Sequence, residues 1–222
     1  MTAAANSPLP TRIAVIDDDA AVRRSLVMLL ETRGWQGIEF ERAHDFLVAA
    51  DPAEFQCLLV DVRIPGMSGL ELFDALRREA AAGQRYLPPL LFLTGHGDIP
   101  MVVQALKHGA ADFLEKPADP RTLLDAVHKA LAGESAARQA HAGQAALLRE
   151  IAELTPRERE VLSEMIDGYL SKQIADHLNI STKTVEAHRL RICHKFKVRT
   201  GMELAAKLRE VPRRLWQDSA AP

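Results

Sequence analysis

Four short apolar runs that stop at polar side chains constrain this chain more than any other feature. Residues 13–16 run into Asp17 and Asp18, 57–60 into Asp61, 90–93 into Thr94, and 113–114 toward Lys116. Each run has strand length, and helical spacing of apolar residues follows it. Strands are predicted over 12–17, 36–40, 56–61, 89–94 and 111–115, alternating with helices over 20–32, 43–50, 70–82, 99–108 and 120–131. Five such repeats make an α/β (βα)5 unit, a doubly wound parallel sheet with right-handed crossovers. The run 57–60 is apolar throughout, as a strand covered on both sheet faces must be. In open parallel sheets, ligands bind beyond the carboxyl ends of the strands. The topology therefore gathers Asp17, Asp18, Asp61, Thr94 and Lys116 at one edge.

That edge has the chemistry of a phosphate site. Two ionised carboxylates about 4 Å apart repel by roughly 4 kcal/mol at an effective dielectric of about 20. Three of them call for a cation, and all-oxygen ligation favours Mg2+ (or Mn2+) over zinc. Asp61 ends the central strand, and the chain turns away behind it at Pro65 and Gly66. That placement suits a carboxylate nucleophile, which can form an aspartyl phosphate. Lys116 and the cation would offset charge on a transferring phosphoryl group, and Thr94 could donate to it. Simpler roles compete at single positions. An aspartate after a strand often caps the next helix, and Asp19 is assigned that role. Thr94 taken singly is a weaker signal, and Phe113 taken singly also reads as a core residue. His96, in a loop with Asp98, reads as a solvated side chain.

The net charge of −2 hides an asymmetry. Residues 1–153 carry 15 Lys+Arg against 21 Asp+Glu, whereas 154–222 carry 13 against 9. An acidic front and a basic back imply separate jobs, with the back end the nucleic-acid candidate. Cys57 and Cys193 lie far apart and form no CxxC. They read as free thiols of a reducing cytoplasm. No stretch approaches the ~20 apolar residues of a membrane span. The first ten residues lack a signal-peptide pattern.

Residues 133–153 are Ala-rich and read as a helical linker, with a flexible tether near Gly133 and Gly143 as the alternative. The predicted organisation is thus 11–132, a linker over 133–153, and an all-α four-helix unit over 154–211. Its helices are predicted at 156–167, 171–178, 182–197 and 202–209. Thr155, Pro156 and Glu158 spell an N-terminal capping box with proline at the first helical position. Ser181 caps the third helix. Two helices joined by the short turn at 179–181 make a helix-turn-helix, whose second member enters the major groove.

Family resemblance enters on these same residues. Val-Ile-Asp-Asp-Asp (15–19), Leu-Leu-Val-Asp-Val-Arg-Ile-Pro-Gly-Met-Ser-Gly-Leu-Glu-Leu (58–72), Phe-Leu-Thr-Gly-His-Gly-Asp-Ile-Pro (92–100) and Asp-Phe-Leu-Glu-Lys-Pro (112–117) resemble the two-component receiver domain of FixJ-type response regulators. The resemblance implies that Asp61 is the phosphoacceptor of a sensor histidine kinase. It implies a metal held by Asp17, Asp18, Asp61 and the backbone carbonyl of Arg63. Thr94 matches the switch hydroxyl, Phe113 the aromatic that moves with it, and Lys116 the phosphate-binding lysine. A cis Lys116–Pro117 bond is expected. Ala118 departs from the subgroup, which usually carries a bulky residue there, and should loosen the packing. Such a chain is no enzyme beyond slow loss of its own phosphate. A small-molecule phosphatase is the rival reading, although no substrate lid is evident.

Leu-Thr-Pro-Arg-Glu-Arg-Glu-Val-Leu (154–162), Ile-Ala-Asp-His-Leu-Asn-Ile-Ser (174–181) and Thr-Lys-Thr-Val-Glu-Ala-His-Arg (182–189) resemble the LuxR/NarL-type DNA-binding domain. By that analogy Glu186 and Ala187 match base-reading positions. Lys172, Thr182, Lys183, Thr184, Arg189, Arg191 and Lys195 would grip phosphates, and His188 could do either. The expected partners are DNA, a histidine kinase, RNA polymerase and, on phosphorylation, a second copy of the chain.

Overall fold

The computed structural model describes residues 10–82, 85–95, 99–209 and 211–213, with the backbone alone at 99–102. These residues fall into two compact units that divide between Gln139 and Ala140.

In the first unit the strands are β1 Arg12–Ile16, β2 Gln36–Phe40, β3 Cys57–Asp61, β4 Leu90–Thr94 and β5 Asp112–Glu115. They pair in parallel in the order β2-β1-β3-β4-β5. The helices are α1 Ala20–Glu31, α2 Ala43–Ala49, α3 Gly69–Ala81, α4 Ile99–Lys107 and α5 Pro120–Ala152. Successive strand residues point to opposite faces, so the sheet feeds two cores. Ala14, Ile16, Leu58, Val60 and Phe92 pack on one side with Phe46 of α2 and Leu72, Phe73 and Leu76 of α3. Ile13, Val15, Leu59, Leu91 and Leu93 pack on the other with Leu26 and Leu30 of α1 and Leu123 and Val127 of α5. The doubly wound architecture expected from the alternation is the one observed.

Local sequence sets the helix starts. Asp19 caps α1 by accepting from the amides of Ala21 and Val22, as predicted. Ser68 and Glu71 form a reciprocal capping box at α3. Gly69 is required there, because a Cβ would lie 2.1 Å from the Asp61 carbonyl oxygen. The chain thus turns tightly under the end of β3.

Two features depart from the sequence reading. A 3-10 turn at Pro52–Glu54, capped by Asp51, precedes β3 and was not anticipated. Helix α5 runs unbroken from Pro120 to Ala152, so residues 133–152 are helical and the tether alternative does not hold. Ala, Gln and Arg sustain it, although each interior glycine costs about 1 kcal/mol.

In the second unit the last turns of α5 supply Leu147, Leu148 and Ile151 to a core shared with α6 Pro156–Ile166, α7 Ser171–Leu178, α8 Thr182–Lys195 and α9 Gly201–Leu208. The Thr155–Glu158 capping box forms as the sequence indicates. Val185, Ile192 and Phe196 are the buried stripe of α8. That helix ends two residues earlier than predicted because Lys197 takes a left-handed φ of 54°. Among the described residues no helix is long and apolar enough to cross a membrane.

Candidate functional site

The carboxyl ends of β1, β3, β4 and β5 do converge. Asp17 is 0% exposed, Asp61 is 8% exposed, and Asp18 beside them is open to solvent. One carboxylate oxygen from each of the three lies within 4.8 Å of the others. Lys116 Nζ reaches in from the end of β5, 2.6 Å from Asp17 Oδ2 and 2.9 Å from Asp61 Oδ2. The Lys116 amide also donates to the Thr94 carbonyl at 2.7 Å, which ties the β5 end to the β4 end. Asp17 is oriented further by the Asp19 amide, which donates to its Oδ1 at 2.9 Å. The Arg63 amide donates to Asp61 Oδ1 at 3.4 Å.

Lys116 pairs with two of the three carboxylates, Asp17 and Asp61. Burial pushes the Asp17 carboxyl up, and the Lys116 hydrogen bond opposes this without cancelling it. Burial works against the Lys116 charge as well, but its hydrogen bonds to Asp17 and Asp61 outweigh that and hold it above the usual lysine range. The all-oxygen donor set is one that could hold a divalent cation.

Thr94 is buried at the end of β4, and its hydroxyl donates to the Gly95 carbonyl at 3.1 Å. Phe113 is half-buried beside Phe92 on the adjacent strand. The Lys116–Pro117 bond is cis. Ala118 packs against the core and borders a hollow of about 490 Å³ shared with Val22, Ser25, Leu26 and Pro117. His96 and Asp98 lie outside the described residues. The Cys57 thiol is pushed far up by complete burial, and burial also raises that of Cys193, so neither is a ready thiolate.

In the second unit Ser181 caps α8, accepting from the Thr184 amide at 3.0 Å. This presents Thr182, Lys183, Thr184 and Glu186 to solvent, with Ala187, His188 and Arg189 half-buried behind them. Lys172 and Arg191 are exposed. Leu190, one turn after Glu186, is 73% exposed. His188 Nδ1 is buried without a hydrogen-bond partner among the described residues.

Residues 13–128 match the response regulator receiver domain, and residues 152–208 match the bacterial regulatory proteins of the luxR family. The chain is 40% identical over 192 residues to the transcriptional regulatory protein FixJ of Azorhizobium caulinodans, spanning 86% of this chain and 89% of that one. The chain belongs to the response regulators. The tetrathionate response regulatory protein TtrR of Salmonella typhimurium is 35% identical, over 90% of this response regulator and 92% of its own length. The solved structure of the response regulator StyR aligns with a TM-score of 0.66 at 39% identity, over 90% of this chain and 99% of that one. Full-length FixJ from B. japonicum aligns with a TM-score of 0.51 at 35% identity, covering 90% and 96%. The chain is thus a two-component transcriptional regulator. Its receiver implies a kinase partner, and its LuxR-type domain implies DNA.

One predicted phosphate contact, Lys195, is also engaged within the protein. Lys195 does not project freely: its Nζ bonds Glu158 Oε2 at 2.7 Å and the Glu153 carbonyl at 3.1 Å. Glu158 is buried at the start of α6, and an ion there needs a partner. Sequence reading also missed Arg23, which donates to the Asp17 carbonyl at 2.7 Å and pairs with Glu39 at 3.3 Å. An arginine in an amphipathic helix carries no signal that separates this role from a solvated one.

Proposed function

We propose that Asp61 accepts a phosphoryl group from the phosphohistidine of a sensor histidine kinase. The observation that carries this is the Lys116 ammonium bridging Asp17 and Asp61 at 2.6 and 2.9 Å in a cluster of three carboxylates. An Asp61 carboxylate oxygen bonds phosphorus as the phosphorus–nitrogen bond of the donor imidazole breaks, leaving an acyl phosphate. Asp17, Asp18, Asp61 and the Arg63 carbonyl would hold Mg2+ (or Mn2+), which supplies charge neutralisation at the phosphoryl oxygens. Lys116 keeps its contact with Asp17 and turns its remaining donors to the phosphate. Thr94 exchanges its bond to the Gly95 carbonyl for the phosphate, and Phe113 fills the space released. This local charge change biases a two-state element. It favours a dimer that sets two copies of α8 on a two-fold DNA site, where the protein meets RNA polymerase. Loss of the phosphate to water resets the cycle, and turnover of other substrates is not part of it. The site lies in the cytoplasm, where kinase and DNA meet.

The test is intact mass spectrometry after treatment with acetyl phosphate and magnesium. One phosphoryl adduct, lost in Asp61→Asn and accompanied by tighter DNA binding, is the expected result. An adduct that persists in Asp61→Asn would overturn the assignment.

A further inference from the structure

Helix α5 continues past residue 128, where the receiver match ends, and is fastened again beyond it. Arg138 makes the fastening. Its Nε donates to Glu134 Oε1 at 2.5 Å and its Nη2 to the Phe55 carbonyl at 2.5 Å. Its Nη1 donates to the Ala53 carbonyl. The guanidinium lies 4.8 Å from the centre of the Tyr86 ring, and the Tyr86 hydroxyl returns to α5 by donating to the Glu134 carbonyl at 3.3 Å. Glu134 is only 6% exposed.

Three separate pieces of chain meet there: the 3-10 turn before β3, the segment before β4, and α5. All lie at the amino-terminal edge of the sheet, opposite Asp61. The planar fork suits this arrangement, since it addresses a carboxylate, two carbonyls and a ring face at once. A buried carboxylate is costly and is not needed for helicity, which the alanines already supply. Gly133 and Gly143 flank the fastening, so it grips α5 where its intrinsic helical stability is least.

The geometry points to Arg138 as a positioning residue that holds the 133–139 segment of α5 helical and docked against the receiver. Among the described residues its contacts are Glu134, Ala53, Phe55 and Tyr86, away from the phosphoacceptor site. Its effect falls on how much DNA affinity is gained when Asp61 is modified, and in that respect the inference rests on the proposed function.

Amide hydrogen exchange on the full chain tests it, with Arg138→Met, Arg138→Lys and the milder Tyr86→Phe. Exchange of amides 133–139 should rise about tenfold in both Arg138 variants, because a single ammonium cannot replace the fork, and less in Tyr86→Phe. Acetyl phosphate labelling of Asp61 should match wild type, while the gain in DNA affinity on labelling falls about threefold or more. Global melting should stay close to wild type in Tyr86→Phe, which separates positioning from simple loss of fold. Unchanged exchange in Arg138→Met, full rescue by Arg138→Lys, or an undiminished affinity gain would each overturn the inference. Failure of wild-type labelling would instead sink the proposed function and leave the exchange comparison standing.

Discussion

The Lys195 ammonium lies 2.7 Å from the Glu158 carboxylate, joining the last turn of α8 to the first turn of α6. We predict that this pair makes Lys195 orient α8 without adding a DNA phosphate contact. Lys195→Met leaves buried Glu158 without its counter-charge, with only the Thr155 amide still donating to it at 3.0 Å, which costs about 1–3 kcal/mol. Protection of α6 and α8 amides against hydrogen exchange should fall about tenfold or more. The salt dependence of DNA binding should keep its wild-type slope. A slope lower by about one would return Lys195 to the phosphate contacts.

The same pair sets an acid limit. Burial works against the Glu158 charge, but the Lys195 hydrogen bond and the Thr155 amide outweigh it and hold the carboxyl below its ordinary 4.5. A carboxyl depressed in the folded state stabilises the fold above its unfolded value, and that stabilisation is lost as pH falls through the folded one. The protection of α6 in wild type relative to Glu158→Gln should therefore be constant near neutrality. It should close as pH drops below 4.5. A gap that instead widened on acidification would show that the carboxylate is not the stabilising form.

Much of this was readable from residue order, for a physical reason. Asp17, Asp61, Thr94 and Lys116 sit at strand ends, and parallel topology puts strand ends together whatever the side-chain detail. Capping residues such as Asp19, Thr155 and Ser181 act on amides two or three positions away, so their roles are written locally. Lys195, Arg23 and Arg138 were not legible. Each is a long cation whose partner lies on another element, and its surroundings in sequence look the same whether it is solvated or committed. The extent of α5 was open because Gly133 and Gly143 weaken a helix locally, while the Arg138 contacts and the Leu147, Leu148 and Ile151 packing that hold it are tertiary.

The crowding at the phosphoacceptor site predicts an unusual mutant. Asp61→Asn removes one of three close carboxylates, and its amide oxygen can still accept from Lys116. With no divalent cation added, this variant should be more stable than wild type by about 1 kcal/mol, well below the full Coulomb figure because Asp18 is solvated. Wild type should melt higher as magnesium is titrated in, and Asp61→Asn should respond far less. Thermal melts with chelator and with magnesium decide it. A variant less stable than wild type in chelator would mean that Lys116 already balances the cluster.

Lys183 tests the DNA face, because its position separates two kinds of contact. It is exposed in the first turn of α8, beside Glu186 and ahead of the half-buried Ala187. A lysine ammonium is a point charge on a flexible stem, suited to a phosphate and poorly suited to reading a base edge. Glu186, by contrast, can accept from a cytosine amine. Lys183→Ala should thus weaken binding to every sequence alike and lower the salt slope by about one. Glu186→Ala should change which base is preferred at one position, by about 1–3 kcal/mol, with little change in slope. Affinities measured on matched and single-substituted sites across a salt series distinguish the two. If Lys183→Ala altered base preference while the slope held, the helix would lie in the groove rotated from the orientation its buried stripe of Val185, Ile192 and Phe196 dictates.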